Sequence, residues 1–335
     1  MIRWTRRLSV NALALCAAMS LSLMSLGARA AGTVGTTLPA DVPVIVDASL
    51  GVPVIGFGAA GTVTRTPVIL LHGNNDVPFA LGTCQPFQGN IQRLAQSLAD
   101  NGYSTSELWG LGYQGTQCDL AADNTRRSAF AHTATANVDD LRRFVHAVMA
   151  YTGASEVDIV GHSLGVVVAR EWMRQDKSWH VVRRLVAIDG PNHGIVNCSP
   201  SPQNYYQLPV YGGFTPESAV CQELGSPDTP FLRQLNRGSD TQGSTRILAI
   251  RNADTSFVYF SAQDGPFFPP VPAMDVYGNA FDFAESAALK GADVLNLTGQ
   301  NAYDPILGTA HLGILSSPAT WQATFEFLTA ASPRR

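Results

Sequence analysis

Charge is scarce in this sequence: only 14% of its 335 residues are Asp, Glu, Lys or Arg, and the formal net charge is −4. With 45% of residues hydrophobic, the low-apolar, high-charge signature of a disordered chain is excluded and a sizeable core is expected. Basic residues form no cluster beyond the first few positions, so no phosphate-binding surface is expected and nucleic acid is excluded as a partner. The chain also lacks a CxxC pair, clustered Cys/His spacing, a dinucleotide-binding glycine loop and a P-loop. Carboxylates such as Asp275, Asp282 and Asp293 carry no metal-ligand spacing, so neither a metal nor a cofactor is implied.

One long apolar run is present, from Leu8 to Leu26, preceded by Arg3, Arg6 and Arg7 and followed by Ala28-Arg29-Ala30. Positive flank, apolar stretch and small-x-small tripeptide together predict a secretory signal over residues 1–30, cleaved near Ala30. Ser9, Asn11, Ser20, Ser22 and Ser25 dilute the run, which argues against an integral membrane anchor. The mature protein is then expected outside the cytoplasm, extracellular or periplasmic, with 18 basic against 26 acidic side chains and a net charge of −8. Four cysteines remain: Cys84, Cys118, Cys198 and Cys221. An even number in an oxidising compartment predicts two disulfides, with Cys84–Cys118 and Cys198–Cys221 preferred because each staples one loop region.

From Pro67 onward, strand-length apolar runs alternate with helical periodicity, the pattern of a mostly parallel sheet covered by helices on both faces. Strands are expected at 68–71, 107–111, 157–160, 182–188, 247–251 and 294–297. Helices are expected around Ile91, Leu94 and Leu98 and over 138–151, 164–174 and 318–328. Two segments break the alternation, 192–245 (Pro, Ser, Gly, Gln, Tyr) and 255–290 (Phe, Pro, Ala). Both read as insertions at the sheet's edge that form a cap. Residues 31–66 read as an N-terminal extension packed on a catalytic domain spanning 67–335.

Gly161-His162-Ser163-Leu164-Gly165 is a GxSxG match whose context gives it meaning: it lies between the strand Val157-Asp158-Ile159-Val160 and a helix starting at Leu164. At such a turn the serine takes a strained backbone conformation, and flanking side chains would collide with neighbouring backbone, so glycine is needed on both sides. Ser163 is the expected nucleophile. A hydroxyl needs a base, and of seven histidines His311 is chosen because Gly308-Thr309-Ala310-His311-Leu312-Gly313 lies between the last strand and the last helix, at the same sheet edge. The acid should end a strand between these two in the chain. Asp254 is preferred, with Asp264 and Asp189 as rivals. Backbone amides of Leu164, directly after the nucleophile, and Asn74, in the loop His72-Gly73-Asn74-Asn75, are the expected oxyanion-hole donors.

Together, the LLHGNN loop, the GHSLG elbow, Asp254 and the GTAHLGIL segment resemble the α/β-hydrolase superfamily, specifically the class 2 bacterial lipases, from about Pro67 to the C-terminus. Thr66 to Asn74 and Tyr151 to Val160 are also similar to extracellular poly(3-hydroxybutyrate) depolymerases that attack amorphous granules. Those carry an AHSMG-like elbow, which Gly161 and Leu164 depart from. The resemblance implies an α/β-hydrolase fold, a triad of Ser163, Asp254 and His311, and an oxyanion hole at Asn74 and Leu164. It further implies an ester hydrolase acting on a lipid ester or, alternatively, a polyester. Tyr205, Tyr206, Tyr211, Phe257, Tyr259, Phe267 and Phe268 would either touch a hydrophobic solid or form cap core.

Overall fold

A computed structural model describes residues 54–56, 62–74, 76, 91–112, 132–195, 198, 215–252, 274–280, 286–297 and 310–331. The apolar runs pair into one seven-stranded sheet: β1 (Val54–Gly56), β2 (Val68–Leu71), β3 (Leu108–Leu111), β4 (Val157–His162), β5 (Val182–Ile188), β6 (Arg246–Asn252) and β7 (Asp293–Leu297). The strand order is β1-β3-β2-β4-β5-β6-β7. Only β1 runs antiparallel, against β3, and every other pairing is parallel. β2 therefore has β3 on one side and β4 on the other, and the chain leaves β2 toward β3 but leaves β4 toward β5, in opposite directions. The carboxyl ends of strands at such a reversal are the place where ligands bind in sheets of this kind.

Helices cover both faces: α1 (Ile91–Asp100), α2 (Ala134–Thr152), α3 (Leu164–Asp176) and α7 (Pro318–Thr329), with shorter α4 (Ala219–Leu224), α5 (Pro230–Leu235) and α6 (Ala310–Gly313). Period-two alternation splits the strand residues between two cores. Ile69, Leu71, Ile159, Leu185, Ala187, Ile247 and Ala249 pack with α2 and α3. Val68, Leu70, Val160, Val186, Ile188, Leu248 and Ile250 pack with α1 and α7. Burial on both faces is why β2 reads as an unbroken apolar run.

Two boundaries differ from expectation for local reasons. The second helix starts at Ala134, four residues before the apolar stripe begins, because Thr133 Oγ1 accepts from the Ala136 amide and the Glu223 carboxylate accepts from the amides of Ala134 and Thr135. It stops at Gly153, in the left-handed conformation at φ 71°. Glu107 belongs to a 3₁₀ turn before β3, where its carboxylate accepts from the amides of Thr64, Arg65 and Ser104 at 2.6–2.9 Å.

Within the segment read as the first insertion, α4 and α5 contribute Val220, Leu224, Leu232 and Leu235 to the core that holds α3. A disulfide between Cys198 and Cys221 ties this region together, as the sequence predicts. Cys84 and Cys118, the leader, and most of the residue 31–66 extension lie outside the described residues, as does most of the second insertion.

Candidate active site

The elbow follows from packing. Ser163, between β4 and α3, has φ 53° and ψ −125°, a conformation that costs an L-residue about 1–3 kcal/mol. Glycine is required at 165, where a Cβ would come within 2.7 Å of the carbonyl oxygens of Leu71 and His72, and favoured at 161, where one would come within 3.1 Å of the Gly165 carbonyl group. That close approach brings the first turn of α3 against the end of β2. A Cβ on Gly73 would in turn lie 3.1 Å from Ser163 Cβ, so the HGN loop sits directly over Ser163. Ser163 and Leu164 are both buried, and the Ser163 amide is spent on the Ile188 carbonyl at 3.0 Å. Asn74 lies in this loop, with its side-chain oxygen accepting a short hydrogen bond from His132 Nδ1.

His311, in α6, is buried at 3% exposure, and its Nδ1 donates to Asp189 Oδ2 at 2.6 Å. A neutral His311 with its proton on Nδ1 has a basic Nε2. Asp189 follows directly on β5. Its amide donates to the Ile250 carbonyl at 2.8 Å, and its Oδ1 accepts from the Asn252 amide at 3.3 Å. These bonds to β6 fix the carboxylate in a left-handed backbone conformation (φ 47°) that Asp tolerates better than most residues. Asp254, the acid preferred from sequence, lies outside the described residues, as does Asp264. The carboxylate that the structure sets on His311 is thus that of the rival Asp189. Its sequence signal was a carboxylate immediately ending an apolar strand.

Two further histidines are buried around this pair. His72 at the end of β2 donates from Nδ1 to the Gly73 carbonyl at 2.7 Å, and burial lowers its pKa to about 4. His162 at the end of β4 is held well below the ordinary histidine range by burial and by the neighbouring His311. His193 contacts distant segments, Nδ1 to the Ser286 carbonyl at 3.3 Å and Nε2 to Asp240 at 3.5 Å, a structural role.

A residue missed in the sequence braces the loop after Asp189. Arg170, on α3 and fully buried, donates to Asn192 Oδ1 at 2.9 Å, Asn236 Oδ1 at 2.8 Å and the Asp240 carbonyl at 3.1 Å. Desolvation lowers its pKa to about 10, yet it stays cationic at neutral pH, so the helix that begins after Ser163 and the loop after Asp189 are joined by charged hydrogen bonds. Among the described residues no group of His, Cys, Asp and Glu could hold a metal ion.

Comparison with known proteins agrees with this architecture. The family model described as Lipase (class 2) matches residues 65–266. No curated protein sequence matches the chain. Among solved structures, mature Bacillus licheniformis lipase BlEst2 is 15% identical, with a TM-score of 0.50 over 80% of this chain and 94% of its own. Aspergillus fumigatus lipase B is 18% identical, with a TM-score of 0.45 over 80% of this chain and 54% of its own. At such identities the likeness speaks to the fold alone, whereas the family model spans more than half of the sequence and includes the elbow. The chain belongs to the class 2 lipase family and has the α/β-hydrolase fold.

Proposed function

We propose that this protein is an exported serine ester hydrolase of lipase type, in which Ser163 is the nucleophile, His311 the general base and Asp189 the acid that orients it. One observation carries the reading: a serine at a strained strand-to-helix elbow shares the sheet edge with a buried histidine whose Nδ1 is committed to a buried carboxylate. In the reaction, His311 Nε2 takes the Ser163 hydroxyl proton as Oγ bonds to the ester carbonyl carbon. The oxyanion is met by the amides of Leu164 and Asn74, and the dipole of α3 favours the same charge. His311 then returns the proton to the leaving alkoxide as the C–O bond breaks. Water hydrolyses the acyl-enzyme by the same route.

Export is supported by the leader-like N-terminus and by the Cys198–Cys221 bridge, a bond characteristic of oxidising compartments. Among the described residues no helix is long and apolar enough to cross a membrane. Family membership favours a lipid ester over a polyester. The aromatics on which the polyester alternative depends lie outside the described residues.

The test compares acid release from emulsified triacylglycerol and from amorphous poly(3-hydroxybutyrate) by the wild type and by Ser163→Ala, Asp189→Asn and Asp254→Asn. Triacylglycerol hydrolysis should dominate and vanish in Ser163→Ala. Asp189→Asn should lose about 10³- to 10⁴-fold in kcat, while Asp254→Asn stays within a few-fold of wild type. The reverse order would return the acid's role to Asp254, and an active Ser163→Ala would end the proposal.

A further inference from the structure

His162 neighbours the nucleophile in the chain, yet its side chain is turned away to a partner 149 residues further on: its Nε2 lies 2.9 Å from the His311 backbone carbonyl. A carbonyl can only accept, so Nε2 carries the proton. The remaining nitrogen, Nδ1, is then bare in the neutral ring, and it is buried with no hydrogen-bond partner among the described residues. It faces Gly73, where an added Cβ would come within 3.1 Å of it. The ring also stacks on His311, with centroids 4.5 Å apart and planes 32° from parallel. His311 is therefore gripped at three points: Asp189 on Nδ1, His162 Nε2 on its carbonyl, and the His162 ring against its face.

From this juxtaposition we propose that His162 is a positioning residue for His311, fixing the backbone and ring plane of the base through an Nε2–H donor and a neutral ring face. Resting on the serine-hydrolase reading above, it assigns His162 a role beyond supplying the x of the GxSxG turn. The Asp189 bond by itself lets the His311 ring pivot about the Nδ1 contact, sweeping Nε2 away from Ser163. The carbonyl clamp anchors the backbone from which that ring hangs, and the stacked ring limits the pivot. Neutrality matters as well. When His311 takes the Ser163 proton, its imidazolium lies against an uncharged aromatic face rather than a second cation. Burial and the proximity of His311 both oppose protonation of His162, which keeps the stack in that state.

The side chains of Asn and Gln separate clamp from packing. The amide nitrogen of Gln reaches as far from Cβ as Nε2 does, whereas that of Asn reaches only as far as Nδ1. His162→Gln should hold kcat within about fivefold of wild type. His162→Asn and His162→Leu should lose about tenfold to a hundredfold in kcat at nearly unchanged KM, the cost of a misplaced base. Equal impairment of Gln and Asn, or kcat within threefold of wild type in His162→Leu, would overturn the clamp.

A second measurement needs no activity: nitrogen-15 NMR of the wild-type protein at pH 7 should show His162 neutral, with a protonated Nε2 and a bare Nδ1. A proton on Nδ1 would overturn the inference whatever the kinetics show. Activity surviving in Ser163→Ala would instead sink the hydrolase reading and leave the NMR result to judge the contact.

Discussion

His72 makes stability depend on pH in a calculable way. Its ring is fully buried at the end of β2, and desolvation lowers its pKa to about 4 against 6.5 for an exposed ring, with the Gly73 carbonyl pulling weakly the other way. Between pH 6.5 and 4 the unfolded chain binds a proton that the folded chain refuses. Stability therefore falls as pH falls through that window, and no further on this account below pH 4. The complete difference is worth about 3 kcal/mol, of which about 2 kcal/mol is lost between pH 7 and pH 5. His162 acts in the same direction, since burial holds it well below its ordinary value too. His72→Asn isolates the first contribution. The Asn amide nitrogen takes the place of Nδ1 and keeps the donor to Gly73, but it does not titrate. Urea unfolding at pH 7, 6 and 5 should show the variant weaker than wild type at pH 7, because the shorter side chain leaves a cavity. Over the same range it should lose about 2 kcal/mol less than wild type. Identical pH dependence in the two proteins would refute the reasoning.

Other perturbations test the frame around the site. Gly165→Ala would drive a Cβ to 2.7 Å from two backbone carbonyl oxygens that have no room to give, so a loss of about 3 kcal/mol and of most esterase activity is expected, read by thermal unfolding and acid release. Removing the Cys198–Cys221 bridge with a double Ser substitution frees a loop of sequence separation 23 and should cost about 3 kcal/mol in denaturant unfolding. Arg170→Met keeps the buried stem but abandons the oxygens of Asn192, Asn236 and Asp240; a loss of about 3 kcal/mol should appear as a melting temperature lower by about 6 °C or more. An unchanged melting temperature would show that this brace holds nothing.

Much of this was legible in the chain because it is local. Strand-length apolar runs and 3.6-residue periodicity expose β2 to β7 and the four long helices, though not the short α4, α5 and α6, and two glycines around a serine between strand and helix announce the elbow whose φ of 53° the structure contains. His311 could be chosen from seven histidines because chain order places it after the last strand and before the last helix. The Cys198–Cys221 pairing is similarly a short-range matter.

Contacts between distant segments could not be read that way. β5 and β6 lie side by side with Ile188 opposite Ile250, so a carboxylate at the end of either strand reaches the same edge. Which one faces His311 depends on how Asn252 turns Asp189 and on where α6 lands, 122 residues later. The grip of His162 on His311 and that of Arg170 on Asn192, Asn236 and Asp240 likewise join segments with no common local pattern. The sequence by itself determined the parallel strands, the elbow at Ser163 and the choice of His311 as the proposed base, because spacing and backbone sterics act within a few residues. Only the tertiary structure decided which carboxylate and which histidine hold that base, because a hydrogen bond needs atoms within about 3 Å and sequence separation carries no such distance.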